Sequence, residues 1–228
     1  MKFFLIIGGT GVMGTSAIRA IHKHFDQNIM IIANWYGKEI PEFQIEGVDH
    51  TIFGDINSPN CREQIKSFNN GKFDYMFYAT ALGDVGIPIK DATQEQIDRS
   101  NKLSFDPIPQ LENELDITTI VAYSTFYTIR HQLSTYGAMG HSKENIEKWT
   151  VASDGSSKHA CIRAGLFESP SSRGIKLLLR KTSKNLDNLK DPLLRSYFEN
   201  TPSSEGIKKF EEGIFTEEKE AYGDCRTD

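Results

Sequence analysis

A short apolar run, residues 3–7, ends directly on Gly8-Gly9-Thr10-Gly11-Val12-Met13-Gly14, and Gly8, Gly11 and Gly14 are spaced by three. Few folds place such a trio straight after a greasy strand. The first glycine permits a tight turn, the second lets the backbone come close to a charged group, and the third lets a helix pack on the strand. Beyond the turn, Ile18, Ile21 and Phe25 recur at helical spacing, so the chain enters a helix whose first amides face the turn. Free amides at a helix start, with the positive end of its dipole, form an anion site. The spacing is not a Walker loop: Gly9 and Gly14 stand five apart, but Thr15 and Ser16 follow where lysine is required. The same glycines would also serve a purely structural turn, so the rest of the chain must discriminate.

That rest alternates short apolar runs with longer amphipathic ones. Strands are expected at 2–7, 29–33, 50–53, 75–78, 119–123 and 160–163, several of them continuously apolar, as in a parallel sheet covered on both faces. Helices are expected after Gly14 and at 61–68, 94–105 and 143–150. Strand–helix alternation predicts one α/β domain over residues 1–228, a doubly wound parallel sheet of Rossmann type. After Ser169 the composition turns to Ser, Lys, Asn and Pro, which predicts a substrate-covering segment over about 170–205, a helix from about Ser203 and an acidic tail over 206–228.

Composition narrows the function classes. Thirty-one acids against 26 bases give a net charge of −5, which disfavours nucleic-acid binding. Cys61, Cys161 and Cys225 are too few and too far apart for a disulfide framework or a CxxC metal site, which fits a reducing, cytoplasmic setting. No stretch approaches the ~18 apolar residues of a membrane span, and a five-residue run is short for a secretory leader. His22 and His24 would face different sides of a helix, so no metal site is expected. Trp35 and Trp149 read as packing residues.

Two positions fit a dinucleotide. Asp55 follows the third strand, where a carboxylate can accept from an adenine amino group, and Ile56 follows it. Asn34 lies about 20 residues beyond the last glycine, where an acid usually holds the ribose of NAD. Asn is neutral and Lys38 is close by, which suits a 2′-phosphate; NAD and NADP both stay open.

The segment after the fifth strand runs from Ser124 through Tyr136-Gly-Ala-Met139-Gly-His-Ser-Lys143. With the glycine turn, it resembles the short-chain dehydrogenase/reductase family over roughly residues 1–170. Tyr136-x-x-Met139-x-x-x-Lys143 is similar to the YxxMxxxK signature of a divergent subgroup, the enoyl-thioester reductases. Seven residues span about two helical turns, so Tyr136 and Lys143 are expected on one helix face. Lys143 would hold the nicotinamide ribose and favour the ionised phenol, and Tyr136 would stabilise or protonate an oxyanion. Ser124 matches the family's oxyanion-binding serine. The extra tyrosine of the enoyl reductases is replaced by Phe126, with Tyr127 beside it; both are expected to line the substrate pocket.

The resemblance implies further cofactor contacts. The turn residues Gly8, Thr10, Gly11, Val12, Met13 and Gly14 would hold the pyrophosphate, with Ala79 and Thr80 after the fourth strand. Gly165, Phe167 and Ser169 after the sixth would hold the nicotinamide amide, and Asn101 matches a relay asparagine. The family implies NAD or NADP, a small-molecule or acyl-thioester substrate and a homodimer or homotetramer, with no membrane partner. The leading expectation is an NAD(P)H-dependent enoyl-thioester reductase. The alternatives are a carbonyl or 3-ketoacyl reductase and a non-catalytic dinucleotide sensor.

Overall fold

The structure is a computed structural model, and the residues it describes are 1–25, 28–40, 42–125, 127, 136–152 and 157–164. Six strands form one sheet: β1 (Lys2–Ile7), β2 (Ile29–Trp35), β3 (His50–Phe53), β4 (Lys72–Tyr78), β5 (Asp116–Thr125) and β6 (Lys158–Ala164). Their order is β3-β2-β1-β4-β5-β6. The pairs β1–β2, β1–β4, β2–β3 and β4–β5 are all parallel. The helices are α1 (Val12–His24), α2 (Pro59–Ser67), α3 (Gln94–Ser104), α4 (Pro107–Glu114) and α5 (Gly137–Val151). This is the doubly wound parallel α/β fold expected from the strand–helix alternation, with its chain reversal beside β1.

β1 shows why. Successive side chains of a strand point to opposite faces, and all four residues from Phe4 to Ile7 are fully buried. Leu5 and Ile7 join one core with Ile32, Ile65, Met76, Ile108 and Leu111. Phe4 and Ile6 join the other with Ala17, Ile18, Ile21, Ile31 and Ala33. A strand with apolar residues on both faces is stable only between two helical layers. Each fully buried Leu, Ile or Phe contributes about 1.5–3 kcal/mol of transfer free energy.

The helix at 107–114 is not apparent from the sequence because two prolines open it. Pro107 stands at the first helical turn, where its missing N–H costs nothing, and Ile108 and Leu111 bury inward. The chain divides into two compact units. The first comprises Met1–Ala81, Lys102–Tyr123 and the described part of Ile146–Ile162; the second comprises the described residues of Leu82–Asn101, Ser124–Asn145 and 163–164. Among the described residues no helix is long and apolar enough to cross a membrane. The expected substrate-covering segment, the helix from Ser203 and the acidic tail lie outside the described residues.

Candidate active site

In the first unit, the glycine turn sits where β1 feeds α1. Gly8 has φ +84°, a conformation that disfavours side chains, and Gly8 and Gly9 donate their amides to the Asn34 carbonyl at 3.1 and 2.9 Å. Gly14 is buried in α1, and a Cβ there would collide with the Gly8 carbonyl oxygen, so helix and turn can meet only through glycine. Gly11 differs. It is the N-cap of α1 at φ −76°, and a Cβ would find nothing nearer than the Gly8 oxygen at 3.5 Å. Among the described residues, packing does not require glycine at 11; a ligand approaching the backbone would.

The start of α1 is also open chemically. Gly11 offers no capping side chain, and the first turn carries no acid. Thr10, Gly11 and Val12 are exposed and Met13 is half-buried. Thr15 donates its hydroxyl to the Gly11 carbonyl at 2.8 Å. These features fit a pyrophosphate held by backbone amides.

The neighbouring candidates divide. Ala79 donates its amide to the Ile7 carbonyl at 2.8 Å, and the start of Thr80 packs against Gly8, so both border the turn. Asp55 accepts from the Asn57 amide at 2.9 Å and from its side chain at 3.2 Å through Oδ1. Ile56 is buried in the core, leaving only its backbone for a ligand. Lys38 is exposed beyond β2.

Asn34 departs from expectation. It is only 3% exposed, and its amide donates to the Gly54 carbonyl at 2.9 Å, with Cys61 Sγ at 3.3 Å and the Ile52 carbonyl at 3.4 Å. The side chain is turned into the protein and engaged there, so it does not serve a ribose. Asn34 instead shapes the turn through its carbonyl. The reason is register: Asn34 still pairs with Ile7 inside the sheet, before the strand end is reached.

In the second unit, Ser124 is buried at the end of β5. Tyr127 is half-buried. Tyr136 does not lie on the helix with Lys143. α5 begins at Gly137, whose φ of +52° breaks the backbone between them, and Tyr136 forms an isolated parallel bridge with Ile87. Gly137 and Ala138 donate their amides to the Ile87 and Asp84 carbonyls at 2.9 and 3.1 Å. The two-turn spacing argument therefore fails, because a left-handed glycine interrupts the helical repeat.

The expected lowering of the phenol is also reversed: burial pushes the Tyr136 hydroxyl up to about 12. Tyr136 is protonated at neutral pH and able to donate. Lys143 is 6% exposed, so it is not the solvated lysine of an ordinary amphipathic helix. His141 places Nε2 2.9 Å from the Ile89 carbonyl, which occupies one ring nitrogen. Phe126, Gly165, Phe167 and Ser169 lie outside the described residues.

Sequence reasoning missed the polar contacts around Lys143. Ser100 and Ser142, both fully buried, meet at 2.7 Å, and Asn145 donates to Asn101 at 3.3 Å. The only sequence signal is that each serine immediately precedes a polar candidate. Their pairing, 42 residues apart, required the tertiary structure.

Solved structures share this architecture. A short-chain dehydrogenase/reductase from Saccharomyces cerevisiae superposes with a TM-score of 0.61 at 15% identity, covering 87% of this chain and 81% of that one. The chain has the fold of the short-chain dehydrogenases/reductases. An NAD⁺-bound xylitol dehydrogenase gives 0.62 at 16% identity, over 80% and 76%. A Shigella flexneri 2a chain, described as a short-chain dehydrogenase complexed with NADP, gives 0.59 at 15%, over 76% and 81%. No family model and no curated protein sequence matches the chain.

Proposed function

We propose that the chain is an NAD(P)H-dependent reductase of the short-chain type, acting on the C=C bond of an enoyl thioester. The observation that carries the reading is a half-buried tyrosine placed immediately before α5, the helix whose Lys143 is withdrawn from solvent. The exposed, uncapped start of α1 supplies the complementary feature, a place for the cofactor phosphates. NAD⁺ and NADP stand in the names of two structures that share the fold, which supports a nicotinamide dinucleotide here.

A bound nicotinamide cofactor would supply hydride to the β-carbon, and a proton from solvent would complete the reduction at the α-carbon. The protein does the rest. Gly8, Gly11 and the first amides of α1 hold the pyrophosphate, with Thr10, Val12 and Met13 around it and Ala79 and Thr80 along the turn. Asp55 and the Ile56 amide are assigned to the adenine end, and Lys143 to the nicotinamide ribose. As charge develops on the thioester oxygen, Tyr136 Oη donates a hydrogen bond to it and Ser124 Oγ gives a second. A phenol near 12 serves this role well at neutral pH, since it donates without ionising. The residues from Trp35, the last of β2, through Lys38 carry a cation and no carboxylate, which suits the 2′-phosphate of NADPH.

Carbonyl reduction is the second reading, favoured by Phe126 in place of the enoyl reductases' extra tyrosine and by the xylitol dehydrogenase neighbour, whose name implies alcohol–carbonyl interconversion. There Tyr136 would pass its proton to an alkoxide. NADPH oxidation followed with a crotonyl thioester and an acetoacetyl thioester in parallel separates the readings. Turnover of the crotonyl substrate alone supports enoyl reduction; turnover of the acetoacetyl substrate alone transfers the assignment to the second reading. NADPH binding without turnover of either would favour the sensor.

A further inference from the structure

We propose that Ser142, through its hydrogen bond to Ser100, is a positioning residue for Lys143; the inference rests on the ribose-holding role proposed for that lysine. The direction of the contact follows from its neighbours. Ser100 Oγ lies 2.7 Å from the Leu82 carbonyl, which can only accept, so the single Ser100 proton is committed there. Ser142 Oγ, 2.7 Å from Ser100 Oγ, must then donate. Both residues are fully buried, so water cannot replace either bond.

Three residues along the same helix, Asn145 Nδ2 donates to Asn101 Oδ1 at 3.3 Å. α3 therefore grips α5 on both sides of Lys143, at the residue before it and two residues after it. The segment following β4 removes the remaining slack. A Cβ on Gly83 would stand 2.7 Å from Ser100 Oγ and 3.1 Å from the Met139 Cβ, so the chain at 83 is pressed against both helices.

The geometry matters because a lysine reaches far from its helix axis. Rotating a helix by about 10° swings the end of such a side chain by roughly 1 Å. Misplacement of that size is enough to cost a large factor in binding or rate. A hydroxyl pair that pins helix rotation next to Lys143 is thus a means of aiming its ammonium without touching the ligand.

The test is a double-mutant cycle in the full 228-residue chain, read as NADPH affinity by nicotinamide fluorescence and as kcat/KM with a crotonyl thioester. Ser142→Ala should weaken NADPH binding about tenfold when Lys143 is present, and less than about twofold in a Lys143→Ala background. Equal losses in both backgrounds would overturn the proposal, since a general packing defect does not depend on the lysine. No loss in the presence of Lys143 would overturn it too. If Lys143→Ala alone leaves NADPH affinity unchanged, the ribose role fails, and that failure is visible before Ser142 is altered. Should Ser142→Ala not fold, Ser142→Cys keeps a weak donor of similar size, and its loss should fall between the two in the same cycle.

Discussion

The turn at residues 8–14 and the segment at 136–143 carry comparable chemical weight in the proposed reaction, but they are built differently. The turn is made of backbone. Its groups are amides, its geometry follows from absent side chains, and its neighbours Ala79 and Asn34 touch it through main-chain atoms. The second segment is made of side chains. Tyr136 is oriented by a bridge to Ile87, Gly137 and Ala138 by carbonyls from the 84–87 stretch, and α5 by one serine and one asparagine from α3. A backbone site tolerates changes in side chains that meet it only through main-chain atoms. A side-chain site depends on partners distant in sequence.

The largest effect that would test this contrast is at Tyr136. Tyr136→Phe keeps the ring and removes the donor, so turnover should fall about 10²–10⁴-fold with NADPH affinity nearly unchanged. Normal turnover would remove Tyr136 from the mechanism.

The glycines come next. Gly14→Ala forces a Cβ onto the Gly8 carbonyl and should destabilise the fold by about 3 kcal/mol in denaturant unfolding. Gly11→Ala has room and an ordinary φ, so its stability should change by less than about 1 kcal/mol. Its NADPH affinity should nonetheless drop about tenfold. Unchanged affinity in that variant would make the turn purely structural and break the comparison.

A control uses residues that belong to neither segment. His159 is buried on β6, stacks on Trp149 with ring centroids 3.8 Å apart, and meets Glu112 Oε1 at 2.6 Å through Nε2. Glu112→Ala strands that ring nitrogen and should cost about 2 kcal/mol of stability. NADPH affinity should stay as in the parent, and a parallel drop would show that the site is not independent of this cluster.

A smaller effect is expected at high pH. Burial raises Tyr123 and Tyr136 from 10 to about 12 and Tyr78 well above 10. Raised values in the folded state mean that their contribution to stability is complete below pH 10 and is lost as pH rises through 12. Absorbance of phenolate should therefore appear late, and with unfolding. A reversible phenolate titration near pH 10 by the whole tyrosine complement would contradict the burial of all three.

How far the sequence could be read follows the same division. The strands at 2–7 and 50–53 coincide with β1 and β3, and the other four are recovered with shortened ends, because continuous apolar runs survive only in a doubly covered sheet. The Gly8–Gly14 turn was legible for a related reason: glycine is used where nothing larger fits. Asn34 was misread, since spacing along the chain does not reveal which way a strand side chain faces or that Gly54 and Cys61 stand ready to engage it. The helical relation expected of Tyr136 and Lys143 did not hold, because one left-handed glycine at 137 resets the geometry.

Hydrophobic order and glycine placement, both local properties, were sufficient by themselves to determine a parallel α/β sheet with an anion-ready turn after its first strand. Only the tertiary structure decided that the Tyr136 phenol titrates above its ordinary range, that Lys143 is withdrawn from solvent and that Ser100 meets Ser142. Burial and hydrogen-bond partnership are properties of the folded surroundings, supplied here by residues tens of positions away, and no local pattern encodes them.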